Sequence, residues 1–175
     1  MASSNHAMRS LNRRPLRPAL WAIFALTVTF GLVRASAEAA PSAAPAPQLD
    51  LARFRGQVVV VDFWASWCKP CRQSIPWLND LRTRYAGQGL VIVGVNVDAN
   101  RADAEKFQRE VPVGFEVLYD PEGKLAEQFG LQGMPTSFVF DRDGKLARTM
   151  LGYREAQRSG HETEILNLLK RKSSS

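Results

Sequence analysis

Two apolar, β-branched runs dominate the middle of the chain. The first is Val58-Val59-Val60-Val61-Asp62-Phe63 and the second is Leu90-Val91-Ile92-Val93-Gly94-Val95-Asn96-Val97. Neither alternates cleanly between apolar and polar, which predicts central strands covered on both faces. Between them Ile75, Leu78, Leu81 and Tyr85 recur at helical spacing, and Gly87 and Gly89 close the segment. The three together predict a βαβ unit with parallel strands and a right-handed crossover. Beyond the second run, Ala102 to Glu110 reads as a helix ended by Pro112, Phe115 to Tyr119 as a short strand, and Lys124 to Phe129 as a short helix after the turn Asp120-Pro121-Glu122-Gly123. The pattern then changes. Ser137 to Phe140 and Lys145 to Leu151 read as a hairpin around Asp141-Arg142-Asp143-Gly144, and Arg154 to Lys170 as a final helix. The whole reads as βαβ with a helical insert, followed by ββα.

A different pattern precedes this domain. Residues 1–18 are polar and basic, Ala19 to Val33 form an uncharged apolar run, and the small residues Ala35-Ser36-Ala37 follow. That layout predicts a secretory signal peptide over residues 1–37. As a helix the run spans about 22 Å, less than the roughly 30 Å of a bilayer core. Residues 19–33 therefore read as a cleaved signal or, as the alternative, a retained N-terminal membrane tether. Residues 38–48, with Pro41, Pro45 and Pro47 among alanines, form a semi-extended spacer. The folded domain is expected over residues 49–170, with a short tail at 171–175.

Charge changes meaning once it is placed. The chain carries a formal net charge of +6, which by itself would point to nucleic acid or an acidic surface. Five of its 23 basic groups, Arg9, Arg13, Arg14, Arg17 and Arg34, lie in the leader with no acid beside them. The remaining 18 are set against 17 acidic groups, so the domain is nearly neutral and no nucleic-acid partner is expected. The content of 45% hydrophobic and 23% charged residues excludes a disordered or collagen-like chain.

The candidate chemistry is confined to two cysteines, Cys68 and Cys71, in Trp67-Cys68-Lys69-Pro70-Cys71. They fall where a buried strand hands over to a helix. Cys68 is expected at the helix N-terminus, where free N–H groups and the macrodipole stabilise a thiolate, the attacking species in disulfide exchange. Cys71, one turn on, can close a disulfide with it. Pro70 suits the first helical turn, and Lys69 adds a positive charge. A zinc site lacks further soft ligands near the pair, since the two histidines are His6 in the leader and His161 in the last helix. A purely structural bridge closing so short a loop gains little stability. Redox exchange through the pair, with no other cofactor and no metal, is the expected chemistry.

At this point the residues carry a resemblance. Val61-Asp62-Phe63-Trp64-Ala65-Ser66-Trp67-Cys68-Lys69-Pro70-Cys71 resembles the active-site segment of the thioredoxin superfamily, and Gly133-Met134-Pro135-Thr136 resembles its cis-proline loop. Leu51 to Gln57, the insert from Asp98 to Phe129 and Asp141 to Gly144 resemble the exported TlpA-like thiol–disulfide oxidoreductases, a group that includes the reductants of cytochrome c maturation. The resemblance covers about Leu49 to Leu169. It implies an α/β, thioredoxin-like fold: a central mixed sheet flanked by helices, with a TlpA-type insert.

By the same resemblance Cys68 is the nucleophile, Cys71 the resolving thiol, and Asp62 the buried acid that takes a proton from Cys71. Pro135 is the cis-proline that shapes the substrate groove. Trp67, Lys69, Pro70, Met134, Pro135 and Thr136 are the expected substrate-facing residues. Trp64 and Trp77 are expected in packing, His161 as an ordinary helix residue, and Pro76 as a structural kink. One position departs from the cytochrome-maturation members, which usually carry glutamate three residues after the second cysteine; here it is Ser74. The departure leans toward a more general protein-disulfide reductase. Such a periplasmic enzyme acts on protein disulfides or thiols and draws electrons from a membrane electron-transfer protein. Two alternatives stay open: a thiol oxidant or peroxidase-like redoxin, and a non-catalytic chaperone or copper-handling module.

Overall fold

A computed structural model describes residues 48–173. The expected leader, its cleavage pattern, most of the spacer and the last two residues of the tail lie outside the described residues. Five strands form one sheet: β1 (Val58–Trp64), β2 (Leu90–Asn96), β3 (Glu116–Tyr119), β4 (Thr136–Phe140) and β5 (Leu146–Leu151). Four helices accompany them: α1 (Cys71–Tyr85), α2 (Arg101–Glu110), α3 (Lys124–Gln128) and α4 (Arg158–Lys170). The strand order is β3-β2-β1-β4-β5. β1 pairs parallel with β2 from Val58↔Leu90 to Trp64↔Asn96, β2 pairs parallel with β3, and the β4–β5 hairpin adds antiparallel to β1. The sheet is therefore mixed, as expected.

The central position of β1 explains its composition. All seven of its residues are buried, and alternate side chains serve two cores. Val58, Val60 and Trp64 pack with Ile75, Leu78 and Leu81 of α1, Ala104 and Phe107 of α2, and Ile165, Leu168 and Leu169 of α4. Val59, Val61 and Phe63 pack on the other face with Leu125, Phe129, Phe138 and Phe140. Fully burying one such side chain stabilises the fold by about 1.5–3 kcal/mol, so the continuous apolar run anchors both layers at once. Gly94 in β2 has a steric reason. A Cβ there would lie 2.9 Å from both Trp64 Nε1 and Phe115 Cε2.

The far end of the sheet is clamped by one side chain. Arg142, in the β4–β5 turn, donates to the carbonyls of Gly56 at 2.5 Å, Gln88 at 3.0 Å, Leu169 at 2.8 Å and Arg171 at 2.9 Å. These carbonyls belong to the entry of β1, the entry of β2 and the end of α4. Gly89 adopts φ +91°, and a Cβ on it would sit 2.9 Å from Arg142 Nη1. It is thus required by conformation and by the clamp.

Helix boundaries differ from the sequence reading at two places. α1 begins at Cys71, so Cys68 lies in the preceding turn rather than at the helix N-terminus itself. The last helix begins at Arg158 after a separate 3₁₀ turn at Glu155–Gln157. Arg154 is extended at φ −138°, which keeps it out of the helix. No helix among the described residues is long and apolar enough to cross a membrane.

Candidate active site

The site sits where the C-terminal end of β1 turns into α1. Cys68 and Cys71 form a disulfide with S–S 2.04 Å. Cys71 is wholly buried and Cys68 is 4% exposed. The turn has its own hydrogen bonds: Cys68 N–H donates to the Ala65 carbonyl at 3.1 Å, and Cys71 N–H to the Cys68 carbonyl at 3.1 Å. The same Cys71 N–H lies 3.3 Å from Cys68 Sγ. The Cys71 amide is thus shared between the Cys68 carbonyl and Cys68 Sγ, one residue past the N-cap Pro70. This arrangement favours a thiolate on Cys68 even though the residue precedes the helix.

The residues between the cysteines are open to solvent. Lys69 and Pro70 are exposed, and Pro70 has φ −66°, the value its ring imposes. Trp67 is 70% exposed, a large apolar side chain beside the disulfide. Trp64 and Trp77 are buried. Trp64 packs on Phe107, while Trp77 packs on Tyr153 and His161. Pro76 lies inside α1, where it removes the backbone donor that would reach Arg72. Ser74 is buried, and its hydroxyl lies 3.4 Å from the Cys71 carbonyl.

Met134–Pro135 is a cis peptide bond. Thr136, the next residue, pairs with Phe63, so the loop enters the sheet beside the end of β1 from which the cysteine turn leaves. Met134 is half-buried and packs against the core cluster containing both cysteines. The Pro135 carbonyl accepts from Gly152 N–H at 2.7 Å, which ties the loop to the exit of β5. Thr136 is buried, and its hydroxyl donates to the Gly133 carbonyl at 2.7 Å. It faces the loop's own backbone.

Asp62 is wholly buried in β1. Its place between Val60 and Trp64 in the alternation turns it toward the α1 face, the side that carries Cys71. Burial pushes its pKa up to about 7, against a smaller opposing effect of the Ser137 hydroxyl. That hydroxyl donates to Asp62 Oδ1 at 2.5 Å, while Oδ2 has no hydrogen-bond partner among the described residues.

Four polar residues that sequence reasoning passed over belong to this site. Ser137, the cross-strand partner of Asp62, is one. The others are Ser66, Asn96 and Asp98. Asp98 accepts from the Ser66 N–H, from the Ser66 hydroxyl at 2.8 Å and from Asn96 Nδ2 at 2.7 Å. The available signal was Asn96-Val97-Asp98, polar residues two apart closing an otherwise apolar strand. Among the described residues no group of three or more His, Cys, Asp or Glu side chains is arranged to hold a metal ion.

Known proteins place this architecture. The AhpC/TSA family profile matches residues 37–149. The chain belongs to that family, and its fold is the thioredoxin-like one that the resemblance implies. Thiol-disulfide oxidoreductase ResA of Bacillus thuringiensis subsp. konkukian is 31% identical over 105 residues, which are 60% of this chain and 61% of that one. ResA of Geobacillus thermodenitrificans is 33% identical over 102 residues, 58% of this chain and 59% of that one. The chain thus spans about three-fifths of the length of these curated relatives. Among solved structures, a Chlorobium tepidum protein provisionally named thiol:disulfide interchange protein DsbE is 45% identical. It covers 69% of this chain and 86% of its own, with a TM-score of 0.67. StoA of Bacillus subtilis is 26% identical over 62% of this chain and 84% of its own, with a TM-score of 0.54.

Proposed function

We propose that this protein is an exported thiol–disulfide oxidoreductase working as a protein-disulfide reductase. The observation that carries the reading is the asymmetry of the Cys68–Cys71 pair: Cys68 is capped by the Cys71 N–H at 3.3 Å, while Cys71 is wholly buried. The named relatives, ResA and the DsbE-type protein, support the same chemistry.

In the reduced protein the Cys68 thiolate attacks one sulfur of a substrate disulfide. A mixed disulfide forms and the other substrate sulfur leaves as a thiolate. Asp62 then takes the proton of Cys71, whose sulfur attacks Cys68 Sγ and expels the second substrate thiolate. The substrate gains two electrons and the enzyme pair is oxidised to the disulfide. Asp62 suits this step because its pKa, held up to about 7 by burial, lies close to working pH, where a proton acceptor is most effective. The cis Met134–Pro135 loop, Trp67, Lys69 and Pro70 form the surface offered to the substrate. The basic leader and apolar run of residues 9–33 support export to the periplasm, where a membrane electron-transfer protein would restore the dithiol.

The deciding experiment is the reduction potential of the Cys68–Cys71 pair, measured together with insulin-disulfide reduction. A value near the roughly −270 mV of thioredoxin supports a reductase, and one near the roughly −120 mV of DsbA overturns it. Disulfide reduction that persists in Cys68→Ser would overturn the mechanism.

A further inference from the structure

The turn carrying Cys68 is tethered to the neighbouring strand by one buried carboxylate. Asp98, just beyond β2, is 4% exposed. It accepts the Ser66 N–H through both oxygens, at 3.2 and 2.9 Å, and the Ser66 hydroxyl at 2.8 Å. Asn96 Nδ2 donates to it at 2.7 Å, while Asn96 Oδ1 accepts the Asp98 N–H at 3.2 Å. Asn96 is itself fixed. It is wholly buried, pairs with Trp64 across β1–β2, and accepts Asp120 N–H at 2.7 Å. The carboxylate therefore stands on a rigid platform.

From Ser66 the route to the sulfur is short. The Ala65 carbonyl receives the Cys68 N–H, and Cys68 in turn receives the Cys71 N–H on its carbonyl and on Sγ. Displacing Ser66 displaces this turn. We propose that Asp98 is a positioning residue for Cys68: acting through Ser66, it holds the turn in the geometry in which the Cys71 amide donates to Cys68 Sγ. The inference rests on reading Cys68 as the attacking thiol, and it adds a determinant of that thiol's acidity outside the cysteine motif.

A buried anion can also act through space, by disfavouring a second negative charge. The two effects have opposite signs. Loss of positioning weakens amide donation and raises the Cys68 pKa, whereas loss of the field lowers it. The other charged groups around the turn are Lys69 within it, Arg72 on α1 and Asp62 on the sheet. Asp103, Lys106 and Glu110 of α2 line a pocket of about 210 Å³ with Ser66 and Arg72. All of them are retained in the variants below, so differences report on the tether.

The test is the pH dependence of Cys68 alkylation by iodoacetamide in the reduced full-length protein, in native form and as Asp98→Asn and Ser66→Ala. Asparagine keeps the shape but turns an NH₂ group toward groups that are already donors. The expected result for Asp98→Asn is a rise of about one pKa unit, read as about tenfold slower alkylation at acidic pH. A fall in pKa, or no change, overturns the proposal even if the variant melts earlier. Should Asp98→Asn fail to fold, Ser66→Ala decides. It keeps the charge and removes only the hydroxyl contact, so a rise supports the tether and an unchanged or lowered pKa overturns it. Insulin reduction by the native protein, run alongside, separates the readings. Its absence together with a raised thiol pKa in the variants would remove the reductase assignment and leave the tether standing.

Discussion

Ser137 Oγ donates to Asp62 Oδ1 at 2.5 Å across the antiparallel β1–β4 pair. This is a buried carboxylate with one oxygen satisfied and the other without a partner. Its ionisation is costly in that setting, which is the physical reason its pKa lies near 7 instead of near 4.

The pH dependence of stability follows from this raised value. Below about pH 4 Asp62 is protonated in both folded and unfolded chains and has no net effect. Between about 4 and 7 the unfolded chain has released the proton and the folded one still holds it, so Asp62 makes folding less favourable as pH rises. Asp62→Asn is therefore expected to be more stable than the native protein at pH 8. At about 1.4 kcal/mol per pKa unit the gain is on the order of 4 kcal/mol, and it shrinks toward zero near pH 4. Urea titrations across pH check this. In activity the sign reverses: mixed-disulfide resolution should rise through about pH 7 in the native protein and become slow and flat in Asp62→Asn, by roughly 100-fold.

Ser137→Ala removes the hydrogen bond that favours the charged form of Asp62. The midpoint of the resolution–pH profile should move upward by about one unit. Single-turnover kinetics with a chromogenic disulfide would measure it, and a downward shift would contradict the assignment of Asp62 as the proton acceptor.

In the proposed mechanism Cys71→Ser leaves an attacking thiol without a resolving one. It should accumulate a covalent complex with a substrate protein through Cys68, visible by mass spectrometry and released by dithiothreitol. Cys68→Ser should form none.

Trp67 is 70% exposed and contributes little to packing. Trp67→Ala should change stability by less than about 0.5 kcal/mol. The second-order rate with a protein disulfide should nevertheless fall by about tenfold as aromatic contact area is lost.

Arg142→Ala leaves four carbonyls without their shared donor. A loss of about 2 kcal/mol is expected, with the thiol pKa unaltered, because the clamp lies at the sheet end opposite the cysteines. Arg142→Lys should recover only part of it, since an ammonium cannot reproduce the fork.

Much of this was legible in the chain. The runs Val58–Phe63 and Leu90–Val97 are long, β-branched and without polar alternation, so their place as buried central strands followed from that unbroken apolar character. Cys68 and Cys71 announced themselves by spacing, and the Met134–Pro135 loop by resemblance. What escaped was set by distance along the chain. Nothing local marks Asp98 as the partner of Ser66, 32 residues away, and Ser137 meets Asp62 only through the β1–β4 register. The expectation of Cys68 at the helix N-terminus misses by about one turn, because Pro70 is the N-cap and α1 begins at Cys71.

Cys71 is wholly buried while Cys68 keeps 4% of its surface exposed, and this difference has a kinetic consequence. If only one sulfur can be approached, the client and the source of electrons must use the same doorway, one after the other. Neither can wait on the protein while the other is docked. Steady-state rates measured at several concentrations of both should give parallel double-reciprocal lines, the signature of a shuttle that alternates between two partners and holds no ternary complex.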